Sequence, residues 1–288
     1  MSLPAANQIE QAVQDALRED LGGALDLGAD LSAAAVPADK KSAAQLLCRA
    51  GTVLCGAAWF EAAIRQLDSS ARFAWSAAEG DDVNSGQQLC RVEAQSRALL
   101  AAERTALNFL QLLSATAHAA RRAAALARGT PCRVLDTRKT IPGLRAAQKY
   151  AVRTGGAQNH RAGLFDAVLL KENHIRAAGG IARAVRAARK HAPAGAALTV
   201  EVENVEQLEQ AIRAGATRIL LDNFTAAALA EAVRRNRGRA ELEASGGISG
   251  ENLRAAARSG VDCVSLGALT KNICAADYSL LFEKESAG

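Results

Sequence analysis

The chain has 288 residues and a formal net charge of +5, and 49% of it is hydrophobic. That is enough chain for one large domain or two smaller ones with a sizeable core. The positive balance is small and spread along the chain, and aromatic residues make up only 3%, which argues against a nucleic-acid face built on charge runs or base stacking.

At the amino terminus, MSLPAANQIEQAVQDALRED lacks a basic segment followed by an apolar run, and no uninterrupted apolar stretch reaches membrane-spanning length. We therefore expect no signal peptide, no membrane partner and a cytoplasmic protein. A helix is expected near 5–20. Short strands follow at 43–48, 52–56, 71–76 and 88–93, with a helix from Ala57 to Leu67 among them. This pattern suits a small α+β sandwich domain, placed at 1–112. Residues 97–128 form a long helical stretch with a candidate interruption at Ser114–Thr116. The six cysteines form no C-x-x-C pair and none has zinc-like spacing to a histidine, so they are expected to be reduced and partly buried.

From about 131 the pattern becomes regular. Apolar runs at 132–136, 165–170, 198–202, 217–222, 240–245 and 262–267 alternate with helix candidates near 143–153, 180–191, 204–214, 225–236 and 249–259. Gly215, Gly238 and Gly260 suit helix C-caps, and Thr225 and Ser249 suit N-caps. Such alternation implies parallel βα units, either a barrel or an open doubly wound sheet. Nearly every run ends in a chemically capable residue, which favours an α/β barrel over 113–270, because a doubly wound sheet gathers its functional groups at one switch point. The tail, 271–288, is expected to return to the first domain.

Three groups of polar residues carry chemistry. ASGGI (244–248) and SLGALT (265–270) place glycines after two late strands, where backbone N–H groups and a following helix start would receive a phosphate. Glu201 and Asp222 end neighbouring strands and offer hard oxygen ligands to magnesium carried by a pyrophosphate, with a rim salt-bridge pair as the alternative. Glu203 shares the face of Glu201 by strand alternation, and the sequence does not choose between them. Arg138, Lys139, His160, Arg161 and Lys171 cluster around strand ends. Desolvating that many cations is costly unless an anion arrives.

The segments ERTALNFLQLLSATA (103–117), DTRKTIPGLRAAQKYAVRTGGAQNHRAGLFDAVLLKENHI (136–175), VEVEN (200–204), LLDNF (220–224), EASGGI (243–248) and GVDCVSLGALT (260–270) closely resemble the quinolinate phosphoribosyltransferase family. The resemblance implies an N-terminal α/β sandwich before an open, TIM-like α/β barrel. It implies a homodimer with shared active sites, or a higher assembly of such dimers. The implied reaction joins quinolinate to phosphoribosyl pyrophosphate with magnesium and yields nicotinate mononucleotide, pyrophosphate and carbon dioxide. By the same resemblance, Arg138, His160, Arg161 and Lys171 hold the quinolinate carboxylates, Thr137 joins the substrate-binding set, and Lys139 lies near the reacting centre. Arg104 reaches into the neighbouring subunit's site. Glu201 and Asp222 serve ribose and magnesium, directly or through water. Ser245, Gly246, Gly247, Leu266, Gly267 and Ala268 form the phosphate loops. A relative acting on the monocarboxylate nicotinate is the nearest alternative, but four cations exceed what one carboxylate needs.

Overall fold

The structure is a computed structural model that describes residues 3–193 and 195–284. In chain order its elements are α1 (Ala6–Asp20), β1 (Lys41–Cys48), β2 (Thr52–Val53), α2 (Ala57–Leu67), β3 (Arg72–Trp75), β4 (Asp82–Val83), β5 (Gln88–Gln95), α3 (Ser96–Ala127), β6 (Arg133–Leu135), α4 (Arg145–Thr154), β7 (Ala167–Leu170), α5 (Glu172–Ala177), α6 (Ile181–His191), β8 (Ala197–Val202), α7 (Val205–Arg213), β9 (Arg218–Asp222), α8 (Ala226–Asn236), β10 (Glu241–Ser245), α9 (Leu253–Arg258), β11 (Cys263–Ser265), α10 (Ala268–Lys271) and β12 (Tyr278–Phe282). They fall into two compact units. The first holds the described residues of 1–119, 142–155 and 273–288, and the second holds those of 120–141 and 156–272.

In the first unit an antiparallel sheet has the order β12-β1-β5-β3. The tail enters it through β12, which pairs Leu280 with Leu46 on β1. Amphipathic α1 buries Ile9, Val13 and Leu17, one turn apart on one face. Trp59, Phe60, Ala63 and Ile64 do the same for α2. Phe60 meets Phe73 and Trp75 edge-on, with ring centroids 6.3 and 5.8 Å apart, the geometry their quadrupoles favour. Residues 142–155, read with the barrel from their place in the sequence, group with this unit instead. The reason is the apolar face of α4: Ala147 and Ala151 join the first core, and Tyr150 lies against Trp59 with centroids 5.8 Å apart.

Helix α3 runs without a break through Ser114–Thr116. The Thr116 hydroxyl bonds back to the Leu112 carbonyl at 3.0 Å, which lets threonine sit inside a helix. Ser114 is a buried junction. Its hydroxyl receives the Cys55 N–H and donates to the Cys55 carbonyl, both at 3.0 Å, and the Tyr278 hydroxyl donates to it at 2.8 Å. Helix α3, the segment before α2 and strand β12 are tied at that one oxygen.

The second unit has the strand order β6-β11-β10-β9-β8-β7, every neighbouring pair parallel. The order is sequential, and the first strand lies beside the last. A doubly wound sheet reverses direction at a switch point; a sheet whose first and last strands meet curls into a barrel. It remains open between β6 and β7. There Gln158 forms a parallel bridge to Leu135, and the Arg161 guanidinium donates to the Ala167 carbonyl at 3.0 Å.

Alternation gives the strands two faces. Val200, Val202, Ile219, Leu221, Leu242, Ala244 and Val264 are buried on one. Arg133, Arg218, Glu241, Glu243, Cys263, Ser265, Thr199 and Glu201 fall on the other, which is the interior. Near the strand starts Glu241 is gripped by Arg133 and by Arg218, the latter at 2.5 Å. These hydrogen bonds, Arg218's foremost, hold the Glu241 carboxyl below the usual glutamate range against the upward pull of burial. Among the described residues, no helix is long and apolar enough to cross a membrane.

Replacing Ser114 with alanine leaves the Cys55 N–H and the Tyr278 hydroxyl without their partner. We expect a loss of roughly 2–3 kcal/mol, the cost of stranding buried polar groups. Urea unfolding would show it as a lower midpoint at unchanged slope.

Candidate active site

The end of β6 turns sharply into the loop that carries the first cations. Asp136, fully buried, accepts the His160 N–H at 2.8 Å and the Asn159 side-chain amide at 2.6 Å. One carboxylate thus fixes the segment 159–161 beside the 136–140 loop. Within that loop the Thr137 hydroxyl accepts the Lys139 N–H at 3.0 Å, and Thr270 donates its hydroxyl to the Lys139 carbonyl at 2.8 Å. The Lys139 side chain lies over Gly267: a Cβ there would come within 2.9 Å of its Cδ. The absent side chain at Gly267 is therefore a condition for where Lys139 points.

Arg161 is half-buried. Burial, and then the charge of Arg138, lower its pKa, while Asp166 and Glu201 oppose the shift. Two guanidinium groups felt by each other in a partly dehydrated place form a positive site. Asp166 holds the following loop. Its carboxylate accepts the Ala162 N–H at 2.6 Å and the Gly163 N–H at 3.1 Å.

Across the mouth, Lys171 Nζ meets Glu201 Oε2 at 3.2 Å, with the Glu201 side chain only 11% exposed. Burial raises the Glu201 pKa, Lys171 pulls it down, and Asp222 and Glu172 push it up again. Glu201 and Asp222 are therefore close enough to repel. Glu203 lies beyond the strand and is exposed, so the choice between the two glutamates falls to Glu201. Asp222 is oriented by its neighbour: the Asn223 amide donates to Asp222 Oδ2 at 2.9 Å, and the Asn223 N–H reaches the Ser245 carbonyl at 2.9 Å. Asn223 has a left-handed backbone, φ +58°, which asparagine tolerates better than most residues.

Ser245, Gly246 and Gly247 follow β10, and both glycines have positive φ, +79° and +60°. A Cβ on Gly246 would collide with the Asn223 carboxamide and lie 2.7 Å from Asp222 Oδ1. The helix expected from Ser249 begins only at Leu253, because the Asn252 side chain bonds the Ser249 N–H and the Gly247 carbonyl and keeps 247–252 as a turn. Leu266 bonds through its N–H to the Leu135 carbonyl, and Gly267 and Ala268 open the four-residue α10. Both helices are short, so the loops' anion affinity would come from backbone N–H groups rather than from helix dipoles. Arg104 is exposed on α3, in the first unit.

Comparison with known proteins accounts for nearly the whole chain. Residues 30–114 match the N-terminal domain of quinolinate phosphoribosyl transferase and residues 116–281 match its C-terminal domain. The chain belongs to the quinolinate phosphoribosyltransferase family. The nicotinate-nucleotide pyrophosphorylase [carboxylating] of Mycobacterium leprae (strain TN) is 40% identical over 93% of this chain and 95% of that protein. The probable enzyme of the same name from Bacillus subtilis (strain 168) is 34% identical over 95% and 93%. The structure of the nicotinate-nucleotide pyrophosphorylase from Francisella tularensis superposes with a TM-score of 0.91, at 41% identity and 97% coverage of each chain.

Within this family frame, three residues outside the sequence-derived set shape the site. Asn223 steers Asp222 and Asp136 anchors His160. Glu243, on β10, stands 3.2 Å from His160 Nε2. Asn223 and Asp136 were visible as polar residues at strand ends. Glu243 gave no such signal, because it sits inside its strand.

Gly246→Ala should displace Asp222 and distort the loop, lowering kcat/KM by roughly a hundredfold, the scale of an ångström-level misplacement. Steady-state kinetics would measure it, and a near-normal value would remove the close approach from the site's requirements. Lys171→Met should raise the Glu201 pKa, because the cation that now lowers it is gone. Glu201 would then stay protonated to higher pH. Carbon-13 NMR of the Glu201 carboxyl should show its titration moving upward.

Proposed function

We propose that this chain transfers the phosphoribosyl group of phosphoribosyl pyrophosphate to quinolinate with loss of carbon dioxide, giving nicotinate mononucleotide and pyrophosphate in de novo NAD biosynthesis. One observation carries the reading: Lys171 Nζ meets the largely buried Glu201 at 3.2 Å at the strand ends, and the half-buried Arg161 lies within the electrostatic reach of Arg138 and Glu201. A planar acid with two carboxylates relieves that arrangement, since each guanidinium fork grips one carboxylate through two parallel hydrogen bonds.

No protein nucleophile is needed. The pyridine nitrogen attacks the anomeric carbon as pyrophosphate leaves, so catalysis rests on positioning and on charge stabilisation. Arg138, Arg161 and Lys171 bind the acid, His160 receives the Arg161 N–H and steadies that arginine's backbone, Thr137 shapes the loop, and Lys139 faces the reacting centre. Ser245, Gly246, Gly247, Leu266, Gly267 and Ala268 receive phosphate. Glu201 and Asp222 orient the ribose hydroxyls and support positive charge on the sugar carbon. Once the ring nitrogen is cationic, it stabilises the carbanion left when the adjacent carboxylate departs as carbon dioxide, and that ring carbon then takes up a proton from solvent.

Magnesium is the proposed cofactor. Among the described residues no three acidic, histidine or cysteine side chains converge as a metal cluster. Two nearby carboxylates suit an ion that keeps several waters and shares phosphate oxygens, so Glu201 and Asp222 would hold it directly or through water. When bound, it would neutralise charge on the departing pyrophosphate. The working form is a homodimer in which Arg104 of the partner subunit completes the site. Support comes from the exposure of Arg104 and from Leu164 and Phe165, 74% and 83% exposed, on the loop after Arg161. The partners are small molecules, not nucleic acid or membrane, and the location is the cytoplasm.

Incubation with quinolinate, phosphoribosyl pyrophosphate and magnesium should yield the mononucleotide by mass spectrometry, with an equal amount of carbon dioxide. Nicotinate in place of quinolinate should release none. Arg161→Ala should weaken quinolinate binding by more than about tenfold in calorimetry, as expected for a charged hydrogen bond of about 1.5–3 kcal/mol; unchanged affinity would move the carboxylate clamp elsewhere.

A further inference from the structure

Glu243 sits in the interior of the second unit with its side chain 9% exposed, and Oε2 lies 3.2 Å from His160 Nε2. Its other oxygen, Oε1, is buried and has no hydrogen-bond partner among the described residues. The group lines a cavity of about 300 Å³ together with His160, Arg161, Thr199 and Arg218.

The imidazole is committed on both sides. His160 Nδ1 accepts the Arg161 N–H at 2.6 Å, so Nδ1 carries no proton in this arrangement. With Nδ1 accepting, the neutral ring's proton is assigned to Nε2, which stands 3.2 Å from Glu243 Oε2. A histidine's tautomer is set by the hydrogen bonds of its two nitrogens, and here one is the backbone of the clamp arginine itself. Asp136 holds the same segment by the His160 N–H. The path runs from the carboxyl of Glu243 through the ring of His160 to the backbone of Arg161, whose guanidinium spans the barrel's opening to Ala167.

We propose that Glu243 is a positioning residue for the quinolinate clamp: it fixes the Nε2–H tautomer and the ring orientation of His160, and through the Nδ1 contact sets the backbone from which Arg161 reaches its substrate carboxylate. The inference rests on the reading that this site binds quinolinate. A carboxyl serving only the interior's packing would contribute to stability and leave substrate recognition alone.

Two nearly isosteric replacements separate these roles. Glu243→Gln keeps an oxygen able to accept the Nε2–H, whereas Glu243→Met fills the same space and accepts nothing. Glu243→Met should raise KM for quinolinate by roughly tenfold or more, on the scale of a misplaced binding group. KM for phosphoribosyl pyrophosphate should stay within about twofold, and Glu243→Gln should restore most of the loss. Equal changes for both substrates, or no change in either, would overturn the proposal. So would Met and Gln variants that behave alike.

Nitrogen-15 NMR of the four imidazoles in the unmodified protein provides a readout independent of turnover and of any variant's folding. His160 should show the Nε2–H tautomer, and Glu243→Met should abolish that fixed state. A resident Nδ1–H tautomer in the native protein would sink the idea. Should the native enzyme fail to convert quinolinate while His160 shows the expected tautomer, the functional reading fails and the Glu243–His160 coupling stands.

Discussion

The arrangement that the rest of the site depends on is a repulsion. Arg138 and Arg161 sense each other's charge at the barrel mouth, and burial removes part of the water that would screen them. Left to itself, such a pair would swing apart into solvent. It is held by short, directional contacts: the Asp136 carboxylate on the 159–161 backbone, the Ala167 carbonyl on the Arg161 guanidinium, and the Thr137 and Thr270 hydroxyls on the loop that carries Arg138 and Lys139. Backbone and buried carboxyl groups thus hold these cationic segments in place. Preorganisation of this kind is how a site stabilises charge without reorganising at the moment of reaction.

The barrel interior holds a second cluster of charges, and Arg161 and Arg218 line the same cavity. Near the strand starts, Glu241 lies between Arg133 and Arg218, and those three groups satisfy one another without a ligand. At the strand ends Lys171 Nζ meets Glu201 at 3.2 Å, and the charge of Asp222 raises the Glu201 pKa. Strand alternation alone produces this layering, because every second residue of each strand projects inward at its own height.

Much of this was legible in the chain itself. A polar residue that ends an apolar run has an obvious address in a βα repeat, and so Arg138, Lys139, Lys171, Glu201 and Asp222 could be read directly. Glu243 could not. In AELEAS (240–245) it alternates with Leu242 and Ala244, a pattern that ordinarily means one face in water. In a barrel that second face is the enclosed interior, so the same alternation marks buried polar groups. The 142–155 segment groups in space with the other unit for a related reason. Sequence adjacency grouped it with the repeat, while its small apolar face, Ala147 and Ala151, packs into the other core. The α9 boundary slipped because a local Asn252 side-chain network outcompetes the first helical turn, and a propensity count does not register such a contact.

The glycines show how a backbone constraint becomes a chemical one. Gly267 makes room for the Lys139 stem and Gly246 for the Asn223 and Asp222 side chains, so two of the site's charged groups occupy space that a methyl group would otherwise fill. Asn223 completes the second arrangement by adopting a left-handed backbone that turns its amide onto Asp222. Selectivity follows from the same tight placement. On the proposed reading a dicarboxylate would meet both Arg138 and Arg161, and a monocarboxylate would meet one of them. Sites built to bond a polar group discriminate against analogues lacking it by factors of about 10⁴–10⁵, because the partner is stranded. On that reading, discrimination for a dicarboxylic acid would arise less from the fit of its ring than from the second charge-assisted contact that a monocarboxylate cannot make.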